Sequence, residues 1–186
     1  LLEGILEKLP PLRIGSDGRL LEWTEEHEET EPGHRHISHL YGLHPGREIT
    51  PETPETFAAA GKTLEYRLRH GGGHTGWSRA WVACFAARLL DGEAVGEHVR
   101  QLLCKCIQDN MLDGHPPFQI DGNFGIAESI LEALVQERSG KIHLLPALPP
   151  EWPEGEIRGY CLTGNARLSF AWKEGRVTKL EAESSR

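Results

Sequence analysis

The stretch Trp77-Ser78-Arg79-Ala80-Trp81-Val82-Ala83-Cys84-Phe85-Ala86-Ala87-Arg88-Leu89-Leu90 is apolar at almost every position. A helix apolar on all faces belongs among other helices rather than on a surface. Asp91-Gly92 breaks it. On its N-terminal side, Phe57, Ala60, Leu64 and Leu68 form one stripe, starting at Thr50-Pro51 or Thr53-Pro54 and ending at Gly71-Gly72-Gly73. Thr suits an N-cap, Pro the first turn, and Gly the exit. On the other side, Val95, Val99, Leu102, Leu103, Cys106 and Ile107 predict an amphipathic helix with one wet side. Phe124, Ala127, Ile130, Leu131, Leu134 and Val135 then predict a further buried helix. One-faced helices alternating with enclosed ones are the pattern of a helical toroid made of hairpins.

Towards the N-terminus, apolar residues at 1, 2, 5, 6 and 9 predict a helix over Leu1 to Leu9, stopped by Pro10-Pro11. Ser16-Asp17-Gly18 marks a turn, so Ile14 to Trp23 reads as a short hairpin or extended loop. Five Glu between residues 25 and 31 read as a solvated loop. After Gly140 the grammar changes to strands: Ile142 to Leu145, Ile157 to Leu162, a strictly alternating Leu168 to Trp172, and Val177 to Ala182. The expected division is therefore a mainly helical part, 1–139, and a small antiparallel β part, 140–186, too short to stand as a sandwich without partners.

Lys plus Arg number 20 against 28 Asp plus Glu, a formal charge of −8 without a basic stripe, which sets nucleic acid aside as a partner. No stretch approaches the ~20 apolar residues of a membrane helix, so no membrane partner is expected either. The chain begins at Leu1 with a helical pattern already running and without a signal peptide, and so reads as a piece of a longer protein. The 4 cysteines, Cys84, Cys104, Cys106 and Cys161, lack a second pair at zinc-finger spacing and read as buried free thiols.

Chemistry-bearing residues gather in three segments: His34 to Gly46, His74 to Arg79, and His115-Pro116-Pro117-Phe118-Gln119-Ile120-Asp121-Gly122-Asn123-Phe124-Gly125. In the last, the prolines make a stiff, extended approach that delivers Asp121 and Asn123 to a helix start. Capping alone explains an Asp there. His34, His36 and His39, joined in space by His74, His115 or Asp121, could make a metal site, although no helical spacing fixes the ligands. No G-x-S-x-G elbow surrounds Ser38 or Ser78, and Gly71-Gly72-Gly73 lacks the Lys of a phosphate loop. Sugar hydrolysis fits better. It needs carboxylates, aromatic faces and planar donors, and Asp121, Trp77, Trp23, Phe118, Gln119, Asn123, Arg79, Arg35 and the histidines supply them. Taken singly, Trp77 and Trp81 read as core, and Arg79 as the partner of a nearby carboxylate; their co-location is what favours a site.

The segments His34-Arg35-His36-Ile37-Ser38-His39-Leu40-Tyr41-Gly42, Gly71 to Trp81 and His115 to Gly125 closely resemble glycoside hydrolase family 95, the inverting α-L-fucosidases. Leu144 to Pro149 with Trp152 resembles that family's closing segment; His44 departs from it, standing where an aromatic is expected. The resemblance implies an (α/α)₆ barrel between β-domains. Residues 1–139 would be the C-terminal part of that barrel, and 140–186 a small or partial C-terminal β-domain. It implies hydrolysis of terminal α-L-fucose, often 1,2-linked, in an oligosaccharide or glycan, without a cofactor or metal. It also implies a bacterial periplasmic or secreted setting. By motif match Asp121 is the Asp that polarises an Asn-activated water. His34, His36, His74, Trp77, Arg79, His115, Gln119 and Asn123 would bind substrate. The Glu acid and the Asn pair would lie upstream in the same polypeptide. A metal-dependent hydrolase and a non-catalytic carbohydrate-binding piece are the alternatives.

Overall fold

In the computed structural model the described residues are 4–5 and 8–184, so the helix expected over Leu1 to Leu9 lies largely outside them. Among the described residues, four α-helices are followed by two small antiparallel sheets. The helices are α1 (Pro54–Arg69), α2 (Gly76–Arg88), α3 (Gly92–Lys105) and α4 (Ile120–Leu134). The strands are β1 (Val135–Arg138), β2 (Lys141–Leu144), β3 (Glu154–Leu162), β4 (Ala166–Lys173) and β5 (Arg176–Ser184). No described helix is long and apolar enough to cross a membrane. The chain divides into two compact units, residues 1–72 and 73–186.

The first unit is largely loop. The Ser16-Asp17-Gly18 turn closes a tight reversal: Ile14 bridges Leu20, and the Gly15 N–H donates to the Arg19 carbonyl at 2.8 Å. Ile37, Leu40, Leu43 and Ile49 are buried, and a 3₁₀ turn, Ser38–Leu40, interrupts the His-rich segment. The buried face of α1 is rotated from the expected stripe. Thr63 and Arg67 are buried with Ala59, Ala60 and Leu64, while Phe57 and Leu68 are only half-buried. Polar residues go inward because each has partners. The Thr63 hydroxyl accepts the Leu20 N–H at 2.9 Å and donates to the Ala59 carbonyl at 2.8 Å.

In the second unit α2 is buried along almost its whole length, as its composition requires. The Thr75 N–H donates to Ser78 Oγ at 3.1 Å and so satisfies the start of the helix. Asp91 caps α3 by accepting the Ala94 N–H at 2.9 Å. Helix α4 departs from the buried helix expected from its apolar positions. Leu134 and Val135 are buried as expected, but Phe124 is 70 % exposed, and the inward side also carries Gly122, Ser129, Glu132 and Ala133. Small residues permit a close approach: a Cβ on Gly125 would come 2.7 Å from the Ala80 Cβ, and the Cys84 thiol donates to the Gly125 carbonyl at 3.7 Å. Asp121 is not the cap. Gln119 holds that position, and Asp121 stands inside the first turn, where the helix dipole still favours it.

The apolar pattern runs on unbroken from α4 into β1, which conceals a strand: Val135 pairs with Leu144 and Arg138 with Lys141. The second sheet has the order β3-β4-β5. Leu168, Phe170 and Trp172 alternate into its core, and Trp172 Nε1 donates to the Trp152 carbonyl at 2.9 Å. Lys173 pairs with Arg176 across Glu174 (φ 52°) and Gly175 (φ 69°), the two left-handed residues of a tight hairpin. All four cysteines are free. Only Cys84 is buried, where desolvation raises its thiol pKa; Cys104 and Cys161 are exposed, contrary to the buried reading.

Candidate active site

The predicted residues fall in both units. In the first, His34 and His36 lie with ring centroids 4.9 Å apart, and the His36 N–H donates to His34 Nδ1 at 3.1 Å. His39 turns inward beside Glu22 (3.8 Å), and burial pushes its pKa down to about 4 despite that carboxylate. It is therefore neutral near pH 7. Glu22 also accepts from Arg67 at 2.8 Å, and Glu29 pairs with Arg19 at 2.6 Å and Arg67 at 3.3 Å. The Glu-rich loop is thus not wholly solvated. Glu29 turns inward because the buried Arg67 needs counter-charge. Asp17, Arg19, Glu22, Glu29, His39 and Arg67 line a cavity of about 530 Å³.

In the second unit the starts of α2 and α4 carry a second group. Trp77 stacks on His115, centroids 6.4 Å apart and planes 27° from parallel. Asp121 is exposed, Gln119 half-buried, and His74 exposed in the loop before α2. Asn123 is engaged locally: its Oδ1 accepts the Asp113 N–H at 2.9 Å and its Nδ2 donates to the Met111 carbonyl at 2.8 Å. Arg79 pairs with His98 Nδ1 at 3.1 Å rather than with a carboxylate. Burial, then the Arg79 charge, pushes the His98 pKa down to about 4. The Pro116-Pro117 bond before α4 is cis.

Reading the sequence missed Asp113, Glu22, Arg67 and His98. Asp113-Gly114 looks like an ordinary turn dipeptide, and Arg67 and His98 sit where helical spacing leaves them indistinguishable from surface residues.

The family model for the glycosyl hydrolase family 95 catalytic domain matches residues 1–134, and that for the glycoside hydrolase family 95 C-terminal domain matches 136–186. The chain belongs to glycoside hydrolase family 95. This family 95 chain is 41 % identical over 185 residues to "Alpha-L-fucosidase 2" of Arabidopsis thaliana, covering 92 % of the chain and 22 % of the relative. It is 34 % identical over 191 residues to "Probable alpha-fucosidase A" of Aspergillus niger, covering 90 % and 24 %. With the protein of that name from Aspergillus oryzae it shares 30 % over 215 residues, covering 98 % and 30 %. The family 95 chain therefore spans less than a third of the length of these curated relatives.

Proposed function

We propose that the protein to which this chain contributes hydrolyses terminal α-L-fucosyl linkages, 1,2-linked in an oligosaccharide or glycan, with inversion. Asp121 serves on the general-base side, and the acid Glu and the Asn pair come from the polypeptide upstream. The observation that carries this is the exposed Asp121 carboxylate in the first turn of α4, whose approach loop carries His115 stacked on Trp77 from the start of α2. Family membership and the relatives' names support it. An inverting site holds its acid and base ~6.5–9.5 Å apart with a water between them, and an accessible carboxylate can polarise that water through a neighbouring amide. An aromatic face such as Trp77 suits the C–H side of a pyranose ring. His34, His36, His74, Arg79, His115, Gln119 and Asn123 complete the proposed substrate-binding set. Residues 1–139 are read as the last hairpins of an (α/α)₆ barrel, with 140–186 as β-domain.

Asp121→Asn in the full-length enzyme should lower kcat by orders of magnitude and leave KM nearly unchanged, because the group acts in the transition state. Release of fucose from a 1,2-fucosylated oligosaccharide measures this, and nuclear magnetic resonance of the first-formed anomer reports inversion. Activity within a few-fold of wild type would overturn the assignment of Asp121. Saccharide binding without turnover in the full-length protein would favour a binding module instead.

A further inference from the structure

In the loop between α3 and α4, Asp113 is 1 % exposed and neither of its carboxylate oxygens makes a hydrogen bond of normal geometry. A buried carboxylate without donors is costly, and an apolar residue of similar size would usually serve stability better. Two features compensate. The carboxylate lies against Gly76, the first residue of α2, where any Cβ would overlap it. It also lies against Gly122 in the first turn of α4, whose Cβ would come 2.5 Å from Oδ2. Two helix starts, each the positive end of a dipole, thus face one carboxylate. The loop itself is pinned: the Asp113 N–H goes to Asn123 Oδ1 at 2.9 Å, and the Gly114 N–H to the Cys106 carbonyl at 2.7 Å. The titratable groups that face Asp113 are His115, Asp121 and Cys106. Burial raises its pKa, Asp121 adds to the rise, and His115 opposes it.

We propose that Asp113 is a positioning residue for the base side of the site: gripped between the starts of α2 and α4, its carboxylate sets where Asp121 stands relative to Trp77 and His115. Gly122 is the residue next to Asp121, so displacing the carboxylate moves the backbone that carries the base-side group. Asn123 acts in the same assembly by holding the Met111–Asp113 backbone. The inference rests on the assignment of Asp121 above.

The test uses the full-length enzyme with Asp113→Asn, Gly122→Ala and Asp121→Asn in parallel. Circular dichroism, the thermal midpoint, kcat and KM are read for each. Asp113→Asn should keep the fold, leave KM within about twofold and lower kcat on the order of 10²-fold, the scale of a ~1 Å misplacement. A purely structural Asp113 would lower the thermal midpoint and leave kcat and KM of the folded variant at their wild-type values. Gly122→Ala, which crowds the carboxylate without removing it, should also lower kcat, and it decides the matter if Asp113→Asn does not fold. Wild-type kcat in folded Asp113→Asn or Gly122→Ala, with Asp121→Asn inactive, overturns the inference alone. An active Asp121→Asn overturns the parent reading and this one together.

Discussion

His98 shows how a single side chain couples packing to pH. It is buried on α3, with its Nδ1 3.1 Å from Arg79, and its pKa is pushed from 6.5 to about 4, first by burial and then by that guanidinium. Between those two pH values the unfolded chain takes up a proton that the folded one refuses. The stabilisation is therefore fully present above about pH 6.5 and is lost as pH falls towards 4. At about 1.4 kcal/mol per pH unit across that window, the loss is on the order of 3 kcal/mol. The thermal midpoint of the full-length protein should fall across this window, and His98→Gln should flatten the fall. An unchanged slope in the variant would show that other groups set the acid sensitivity. Asp113, Arg67 and His98 have a common lesson. Each is a polar residue whose burial is set by residues that pack against it from another element, and no local spacing announces it. Asp121, Trp77 and His115 were legible because they stand in long motifs.

At the scale of elements, the contact between α2 and α4 is the sharpest departure from expectation. Apolar spacing pointed to Phe124, Ala127, Ile130, Leu131, Leu134 and Val135 as the buried side; Leu134 and Val135 are buried, but Phe124 and Ala127 are exposed, and the helix also turns Gly122, Gly125, Ser129 and Ala133 towards its neighbours. Close backbone approach explains the choice, as a Cβ on Gly125 would stand 2.7 Å from that of Ala80. Gly125→Ala should therefore destabilise by about 1–3 kcal/mol through overpacking, although Ala is favoured over Gly by about 1 kcal/mol in a helix. Gly61→Ala in α1, where nothing lies within 4 Å, should instead stabilise. Denaturant unfolding of the two variants measures the contrast, and a Gly125→Ala protein as stable as wild type would refute the close-packing account. Strand β4 was readable because alternation reports a half-buried face directly. Strand β1 was not, because its apolar residues follow those of α4 without a break.

At the scale of the whole molecule, a chain spanning 22 % to 30 % of its relatives' length holds one proposed carboxylate of a two-carboxylate reaction. The 186-residue piece alone should release no fucose from a 1,2-fucosylated oligosaccharide, assayed at high protein concentration by product detection. Measurable release would place the acid within this chain. What the sequence by itself determined is the order of the four helices and of strands β2 to β5, and the three motifs that mark the family. Those signals are local, since periodicity and turn chemistry act within a few residues. The tertiary structure alone decided which face of α4 is buried, that Glu29 and Arg67 pair inward, and that Asp113 sits between two helix starts. Close approach of small residues and compensation of buried charge are properties of two surfaces meeting, and neither surface carries them alone.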